Sequence, residues 1–404
     1  MAKIFRRKVF DDLLPFLFEK EIIVVNGARQ VGKTHLLYYL RDYLIERKEQ
    51  VHYLDLEDSR LLKTLDAGSD VLPHLLQEEG FDPGRRVFVL IDEIQYLADP
   101  SKFLKLTHDH LPNIKLVVSG SSSFDIKRKF KDSLAGRTVT FELFPLSFAE
   151  FLVFKEVTLP VDTPPTLKRL EELAKLQKEF VLFGAYPGIV LTSETYKKEK
   201  RLQQIIDTYI RKDIRDIGNI RDIDKFNLLL ETLAAQSGKL LNVLELANTC
   251  RLAKQTLENY LFILENTYVL RRVRPFHGNI RSELFKTPKV FFYDSGLQQL
   301  LWLKKFPGAV MGNVFETAVF AELAKRYGKE AVYFWRTRDK KEIDFVIRKG
   351  DLVLPLEVKL NFSHFNPATT KYFLKEYGLP SYRIIGLEGT STDTQARSLW
   401  QGWD

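Results

Sequence analysis

"EIIVVNGARQVGKTHLLYYLRDYLIER", residues 21–47, decides the fold of the N-terminal part of the chain. The apolar run at 21–27 predicts a buried strand, and the apolar spacing at 34–47 predicts an amphipathic helix. The loop between them, GARQVGKT at 27–34, fits the pattern G-x-x-x-x-G-K-[ST] at every position. Such a loop turns its backbone N–H groups inward around phosphate oxygens at the start of a helix. The stretch therefore predicts a nucleotide phosphate site.

The residues of this loop have separate predicted tasks. The two glycines let the backbone make the tight turn. Lys33 is expected to reach the β- and γ-phosphates of ATP, and Thr34 is expected to give its hydroxyl to Mg²⁺. The set predicted to bind ATP comprises Gly27, Ala28, Arg29, Gln30, Val31, Gly32, Lys33 and Thr34.

Two carboxylates follow a second apolar run, VFVLIDEIQ at 87–95. Asp92 is expected to hold Mg²⁺ through water, and Glu93 to polarise the attacking water. Because the metal ion and the water need separate carboxylates, the pair favours hydrolysis. The strand predicted at 114–121 ends in Ser119, Gly120 and Ser121, well placed for a polar group that senses the γ-phosphate, and Ser121 is the candidate sensor. Arg137 is either an arginine finger acting on a neighbouring subunit or an ordinary surface arginine.

Strands predicted at 21–27, 50–57, 86–94 and 114–121 alternate with helical segments. This alternation predicts an α/β fold with a parallel sheet covered on both faces. The proline-rich stretch LPVDTPPT at 159–166 is the best candidate for a linker, and a mostly helical region is expected from there to about residue 236.

The composition is that of an ordinary globular protein, with 404 residues, 45% of them hydrophobic, and a net charge of +8. No apolar run approaches the ~20 residues that cross a bilayer, and no signal segment is evident, so a cytoplasmic protein without membrane contact is expected. The single cysteine, Cys250, excludes an intrachain disulfide and a cysteine-rich zinc site. Residues 221–404 hold 27 Lys or Arg against 20 Asp or Glu. This excess indicates either a polyanionic partner or a solvated surface.

A helix–turn–helix followed by a basic strand is predicted within residues 240–276. A short helix at 243–249, a longer one at 253–265 and an arginine-rich strand are typical of a winged helix. Gln255 and Asn259 can reach base edges in DNA, although a winged helix that contacts protein is an open alternative. The residues predicted to neutralise DNA phosphates are Arg251, Lys254, Arg271, Arg272 and Arg274.

Two carboxylates and a lysine interrupt the apolar strands predicted in EIDFVIRKGDLVLPLEVKL, residues 342–360. Asp344 lies on the first strand, and Glu357 and Lys359 lie on the second. One residue separates Glu357 from Lys359, so both side chains are expected on one face, with Val358 on the opposite, buried face. Carboxylates on adjacent strands can bind Mg²⁺, and a nearby lysine can steady phosphate charge. A salt-bridged hairpin is the alternative, since such spacing arises by chance about once in a chain of this size.

Several strings in order along the chain resemble the AAA-type ATPases of a large prokaryotic group with a nuclease-like C-terminal segment. They are GARQVGKT (27–34), LIDEIQ (90–95), VVSGSSSF (117–124), LAGR (134–137), FPLSFAEF (144–151), FGAYPGIV (183–190) and FFYDSGL (291–297). The resemblance covers nearly the whole chain. It implies ATP binding and hydrolysis with Mg²⁺, a winged-helix module and a nuclease-like end of the DUF4143-like type.

Residues 342–360 resemble the PD-(D/E)xK nuclease superfamily, which includes archaeal Holliday-junction resolvases and restriction-type enzymes. This resemblance implies that Asp344 and Glu357 hold Mg²⁺ or Mn²⁺ and that Lys359 is the catalytic lysine. Glu316, within an apolar helical stretch, would be the helix carboxylate. Ile343 stands where the superfamily pattern has proline, which leaves cleavage open. A nuclease fold that grips DNA without cutting it is an equal alternative to the hairpin.

These inferences combine into a predicted order of four domains. They are an AAA-type P-loop ATPase domain at 1–160, a helical lid at 161–225, a winged-helix module at 226–289 and a PD-(D/E)xK nuclease-like α/β domain at 290–404.

Three functions are compatible with this order. The first is an ATP-hydrolysing protein that acts on duplex or branched DNA, with a metal-dependent nuclease and a capacity to form a homo-oligomer. The second is an ATP-controlled DNA-binding or signalling protein with an inactive nuclease-like domain. The third, a small-molecule kinase, is disfavoured by the charged C-terminal half and by the Asp92–Glu93 pair.

Overall fold

The computed structural model of the chain describes residues 4–120, 134–158, 166–214, 220–277, 287–389 and 391–401. The chain divides into two compact units. The first consists of Met1–Phe144 with Asn266–Tyr268, and the second of Pro145–Glu265 with Val269–Asp404. The four predicted domains are finer than these units, and their boundaries stay predictions. The predicted linker at 159–166 falls almost wholly outside the described residues.

The first unit is built on a five-stranded, all-parallel sheet in the order β2-β3-β4-β1-β5. Four strands occupy the predicted positions, so the predicted parallel α/β sheet is confirmed. The fifth strand, TVTFEL, is half-exposed along most of its length and lacks the apolar run that marks the others. The strands are β1 (Ile22–Gly27), β2 (Gln50–Asp55), β3 (Val87–Asp92), β4 (Ile114–Gly120) and β5 (Thr138–Leu143).

Along the chain, helices occupy the connections between most of these strands. Strands β1 and β3 are buried along their whole length, which a sheet covered on both faces requires. Because parallel strands end at the same edge, the C-terminal ends of β1, β3 and β4 lie together. The helices are α1 (Lys8–Leu13), α2 (Lys33–Glu46), α3 (Ser59–Asp66), α4 (Val71–Glu78) and α5 (Pro100–His110), with 3₁₀ turns at Leu14–Phe16 and Ile94–Tyr96.

The second unit begins as the mostly helical region that the sequence predicts. Its helices α11 and α12 lie within about a residue of the predicted helix–turn–helix. The helices are α6 (Phe148–Phe154), α7 (Leu167–Phe183), α8 (Pro187–Val190), α9 (Thr195–Ile205), a π-helical segment (Ile206–Asp213), α10 (Ile223–Ala235), α11 (Val243–Thr249), α12 (Lys254–Asn266), α13 (Ser295–Leu303), α14 (Gly312–Tyr327) and α15 (Pro367–Tyr377), with 3₁₀ turns at Lys329–Ala331 and Phe362–His364.

Two sheets complete the second unit. Strands β6 (Leu270–Val273) and β7 (Lys289–Phe292) pair antiparallel. A mixed five-stranded sheet follows in the order β12-β11-β10-β9-β8, in which β8, β9 and β10 form the predicted meander and β10 pairs with β11 in parallel. Its strands are β8 (Val332–Arg336), β9 (Glu342–Lys349), β10 (Leu352–Asn361), β11 (Arg383–Glu388) and β12 (Ala396–Arg397).

Two of the quoted motifs, FGAYPGIV and FFYDSGL, meet in the second unit through Asp294. Its carboxylate accepts hydrogen bonds from the backbone N–H of Leu297 at 2.8 Å and of Ala185 at 2.7 Å. It therefore caps α13 and ties that helix to the turn after α7. Gly184 has φ 76° and lies so close to this carboxylate that a side chain there would overlap it. These contacts give both motifs a structural role in the second unit.

Within the part of the chain that the structure describes, no helix combines the length and the apolarity that crossing a membrane requires.

Candidate nucleotide site and carboxylate–lysine cluster

The loop at 27–34 connects the C-terminal end of β1 to the start of α2. Gln30 and Gly32 take positive φ values of 62° and 99°, which bend the loop back over the helix terminus. Gly27 lies against the carbonyl group of Leu143 so closely that a Cβ atom would overlap it. The glycines of the pattern are thus required by turn geometry at one end and by close packing at the other.

Lys33 lies buried inside this loop. Its Nζ donates to the carbonyl oxygens of Gly27 at 3.2 Å and Ala28 at 2.9 Å, and it lies 4.0 Å from Oε1 of Glu93. Burial lowers the pKa of Lys33, and the charges of Glu93 and Asp92 partly oppose that effect. A phosphate group in the loop would supply the anion that this buried ammonium needs.

Asp92, at the end of β3, accepts three hydrogen bonds that gather oxygen atoms around it. Thr34 Oγ1 donates to its Oδ2 at 2.5 Å, the Tyr53 hydroxyl donates to the same oxygen at 3.1 Å, and the Ser119 hydroxyl donates to Oδ1. A hydroxyl and a carboxylate side by side are the hard oxygen donors that Mg²⁺ prefers, so the residues present fit that ion. Burial first, and then the Asp92 charge, raise the pKa of Tyr53. The sequence did not single out Tyr53, since a tyrosine on an apolar strand carries no motif.

Glu93 has a left-handed backbone conformation with φ 57°, which costs about 1 kcal/mol or more for a residue with a side chain. Its backbone N–H donates to Ser119 Oγ at 3.2 Å, and the Gln95 amide donates to its carboxylate. These contacts hold the turn that separates the Glu93 carboxylate from that of Asp92. Ser121, the predicted sensor, lies outside the described residues.

Arg137 lies at the other edge of the sheet. Its backbone carbonyl accepts from the N–H of Ile22, at the start of β1, whereas the phosphate loop follows the end of β1. A strand of this length separates the two edges by about 20 Å. The guanidinium forms a two-point ion pair with Asp109, at 2.8 and 3.0 Å. Arg137 therefore cannot reach the loop of its own chain, and a role on a neighbouring subunit stays a prediction.

Asp344, Glu357 and Lys359 come together on β9 and β10 as predicted. Lys359 Nζ donates to Asp344 Oδ2 at 3.2 Å and to Glu357 Oε2 at 2.7 Å. The Val358 backbone N–H also donates to Asp344 Oδ2, at 2.7 Å. The expectation of a buried Val358 was wrong. Val358 is partly exposed and Glu357 is the buried residue, because both faces of β10 are covered over residues 354–357 and the buried stretch ends there.

Glu316, on α14, lies near this cluster and pairs with Lys289, a residue that the sequence did not single out. Lys289, at the start of β7, is 3% exposed and pairs with Glu316 at 3.2 Å and Glu342 at 2.6 Å. Burial raises the pKa of Glu316 to about 7 and, together with the Asp344 charge, raises that of Glu357 to about 8. Lys289 stands at the start of an apolar strand, and nothing in the sequence indicated that it pairs with these carboxylates.

The cluster offers two carboxylates to a divalent cation. Within the described parts of the chain, no three or more Asp, Glu, His or Cys side chains are placed to hold a metal ion. The carboxylates of Asp344 and Glu357 are nevertheless enough for Mg²⁺. This ion commonly takes one or two protein carboxylates and fills its remaining positions with water and substrate oxygens. Lys359 Nζ lies between these two carboxylates.

Two of the three arginines of the predicted wing form ion pairs within the chain. Arg272 donates to Glu258 at 2.8 Å and to Glu265 at 2.7 and 2.9 Å, and Arg271 pairs with Glu330. These pairings argue against the predicted phosphate contacts of Arg271 and Arg272. Arg274 is exposed.

The start of α12 instead borders an open groove of about 540 Å³. It contains the predicted Arg251, Gln255 and Asn259, together with Arg221 and Lys225, which the sequence did not single out. Lys225 pairs with Asp222 at 2.8 Å. Arg221 and Arg251 thus leave this groove with a net positive charge.

The parallel sheet and the phosphate loop define a P-loop ATPase domain, and comparison with known families agrees. The profile of the AAA domain matches residues 19–152. Two families described as domains of unknown function match residues 174–306 (DUF8612) and 311–397 (DUF4143). The first unit is therefore an AAA-type domain, and the second carries regions without an assigned activity.

Relatives along most of the chain define its family. An uncharacterised protein of Haemophilus influenzae is 30% identical over 366 residues, covering 88% of this chain and 87% of that protein. An uncharacterised protein of Methanocaldococcus jannaschii is 28% identical, covering 86% of this chain and 75% of that protein. The chain belongs to the prokaryotic AAA-type ATPase family of the Haemophilus influenzae protein.

Solved structures give a weaker likeness. AMPPCP-bound DnaA from Aquifex aeolicus is 15% identical with a TM-score of 0.30, covering 64% of this chain and 86% of that chain. Domain III of DnaA from Thermotoga maritima is 18% identical with a TM-score of 0.29, covering 50% of this chain and 85% of that one.

Proposed function

We propose that the chain is a Mg²⁺-dependent ATPase whose hydrolytic site comprises the loop at 27–34 with Asp92 and Glu93. The observation that carries this proposal is the convergence of Thr34 and Asp92 beside the buried ammonium of Lys33. Together they supply a metal site and a cation for the phosphates at one helix start. The match to the AAA domain supports it.

Each side chain has a distinct task in this proposal. The loop N–H groups and Lys33 bind the β- and γ-phosphates of ATP. Mg²⁺ held by Thr34 and Asp92 would neutralise charge on those phosphates. Glu93, held apart from Asp92 by its left-handed backbone, orients the attacking water and accepts its proton. Ser119 holds both carboxylate positions through its contacts with Asp92 and with the Glu93 backbone.

Replacement of Lys33 tests the binding half of this proposal. We expect Lys33→Ala to raise the Kd for MgATP about 100-fold, because a charge-assisted contact to phosphate is lost. Isothermal titration calorimetry measures this directly. Lys63→Ala, on the same unit, provides the exposed-lysine control. Native affinity in Lys33→Ala would place the nucleotide elsewhere.

Metal-dependent cleavage of DNA at the cluster of Asp344, Glu357 and Lys359 is the second candidate function. The specific observation in its favour is that the ammonium of Lys359 contacts both carboxylates on adjacent strands. With Mg²⁺ or Mn²⁺ on the carboxylates, the lysine would face the scissile phosphate. Under the alternative, an ATP-controlled DNA-binding protein, the same cluster stabilises the sheet and does not cut.

DNA binding itself is common to both of these interpretations, and we assign it to the groove beside α12. We expect Arg251→Ala with Lys254→Ala to flatten the slope of log K against log salt by up to about two, one for each lost phosphate contact. Fluorescence anisotropy with labelled duplex at several salt concentrations measures the slope. Arg272→Ala is the control, because its guanidinium already pairs with Glu258 and Glu265. If Arg272→Ala alone flattens the slope, the wing is the contact surface.

A further inference from the structure

Arg7 is a buried arginine that none of the motifs includes. It directly precedes α1 and is 5% exposed. Its Nη1 donates to the carbonyl oxygen of Val31 at 2.7 Å, and its Nη2 donates to that of Phe144 at 2.9 Å. Val31 is the residue before Gly32 and Lys33 in the phosphate loop. One guanidinium therefore joins the phosphate loop to the residue that follows β5.

The need for such a donor follows from the geometry of a phosphate-binding loop. Its N–H groups must face the anion, so carbonyl groups turn away from it and need donors of their own. Val31 has no exposed surface, so water cannot reach it freely as a donor. An unsatisfied carbonyl at this depth would favour a different loop conformation, because burying an unpaired polar group is costly.

We infer that Arg7 is a positioning residue of the phosphate loop, which holds the carbonyl of Val31 outward so that the loop is preformed for a nucleoside triphosphate. The inference rests on the proposed ATPase function. Arg7 would act through the loop backbone and would not touch the nucleotide. The geometry of the guanidinium matters, since its separate N–H groups lie in one plane and serve both carbonyl groups at once.

The same unit contains a matched control at the opposite edge of the sheet. Lys115, on β4, is 4% exposed and donates to the backbone carbonyl oxygens of Phe16 at 2.7 Å, Glu19 at 2.9 Å and Glu21. It is a buried cation that serves carbonyl groups, like Arg7, but these carbonyl groups are remote from the phosphate loop. Loss of either cation should lower the stability of the fold, but only loss of Arg7 should weaken nucleotide binding.

The experiment compares Arg7→Met, Arg7→Lys and Lys115→Met in the full chain. We expect Arg7→Met to raise the Kd for MgATP and MgADP about tenfold, and Arg7→Lys to raise it by a smaller factor, because one of two contacts is retained. Lys115→Met should bind both nucleotides with a Kd within about twofold of that of the natural chain, even where its Tm falls as far as the Tm of Arg7→Met. In steady-state hydrolysis, Arg7→Lys should raise KM and leave kcat nearly unchanged, since Glu93 is untouched.

Two results would overturn the inference. One is native MgATP affinity in Arg7→Met or, where that variant fails to fold, in Arg7→Lys. The other is an equal loss of affinity in Lys115→Met, which would show general destabilisation. Arg7→Lys keeps the buried charge and so provides the test even where Arg7→Met fails to fold. A natural chain that binds no MgATP would instead overturn the proposed function on which the inference rests.

Discussion

Glu93→Gln is expected to bind MgATP as tightly as the natural chain and to hydrolyse it about 100-fold or more slowly. The amide has nearly the shape of the carboxylate, so the phosphate loop, Lys33 and the oxygen donors around Asp92 are unchanged. What is lost is the carboxylate that we propose as the proton acceptor for the attacking water. The variant should therefore hold ATP without turning it over.

Phosphate release and nucleotide binding, measured on the same preparation, test this prediction. Glu78→Gln, an exposed carboxylate on α4, is the matched control and should hydrolyse ATP at the native rate. A native rate in Glu93→Gln would remove Glu93 from the reaction. It would then leave the strained backbone at this residue without a catalytic explanation.

Asp344→Ala and Glu357→Ala are each expected to lose at least about 100-fold of any Mg²⁺- or Mn²⁺-dependent DNA cleavage, because each removes one of the two proposed metal ligands. Lys359→Ala should also lose cleavage and should keep metal binding, since its ammonium is not a ligand. ATP hydrolysis should survive all three changes, because its residues belong to the other compact unit. DNA affinity should change little or rise when a carboxylate is removed, since repulsion of phosphate decreases.

Cleavage of labelled linear, single-stranded and branched DNA measures these losses, with ATP hydrolysis as the control for folding. Asp351→Ala, exposed in the turn between β9 and β10, is the control within the same hairpin. A natural chain that hydrolyses ATP and binds DNA, yet cuts none of these substrates with either metal ion, would contradict the nuclease proposal. The ATP-controlled DNA-binding protein would then replace it.

The part of the fold that local patterns specify was predictable from the sequence. Residues 21–47 combine a continuous apolar strand, a complete phosphate-loop pattern and a helical spacing, and all three appear where they were predicted. The meeting of Glu357 with Lys359 follows from the two-residue period of a strand, and their contact with Asp344 follows from pairing of β9 with β10.

Contacts between distant parts of the chain were not predictable in this way. Arg7 meets Val31, and Lys289 meets Glu316, only because the sheets bring separate segments together. Arg271 and Arg272 were expected on DNA because the sequence shows their charge but not the carboxylates of Glu258, Glu265 and Glu330 beside them. The burial of Glu357 was missed for the same reason, since the sequence does not show that both faces of β10 are covered over residues 354–357.

Steady-state release of phosphate from ATP by the natural chain, with Mg²⁺ and again with the metal chelated, is the most direct test of the central claim. The account predicts hydrolysis with Mg²⁺, loss of hydrolysis on chelation and recovery when Mg²⁺ is restored, because Thr34 and Asp92 would hold the ion beside the phosphates. A pure, folded chain that releases no phosphate above the Lys33→Ala background at any Mg²⁺ concentration would contradict it.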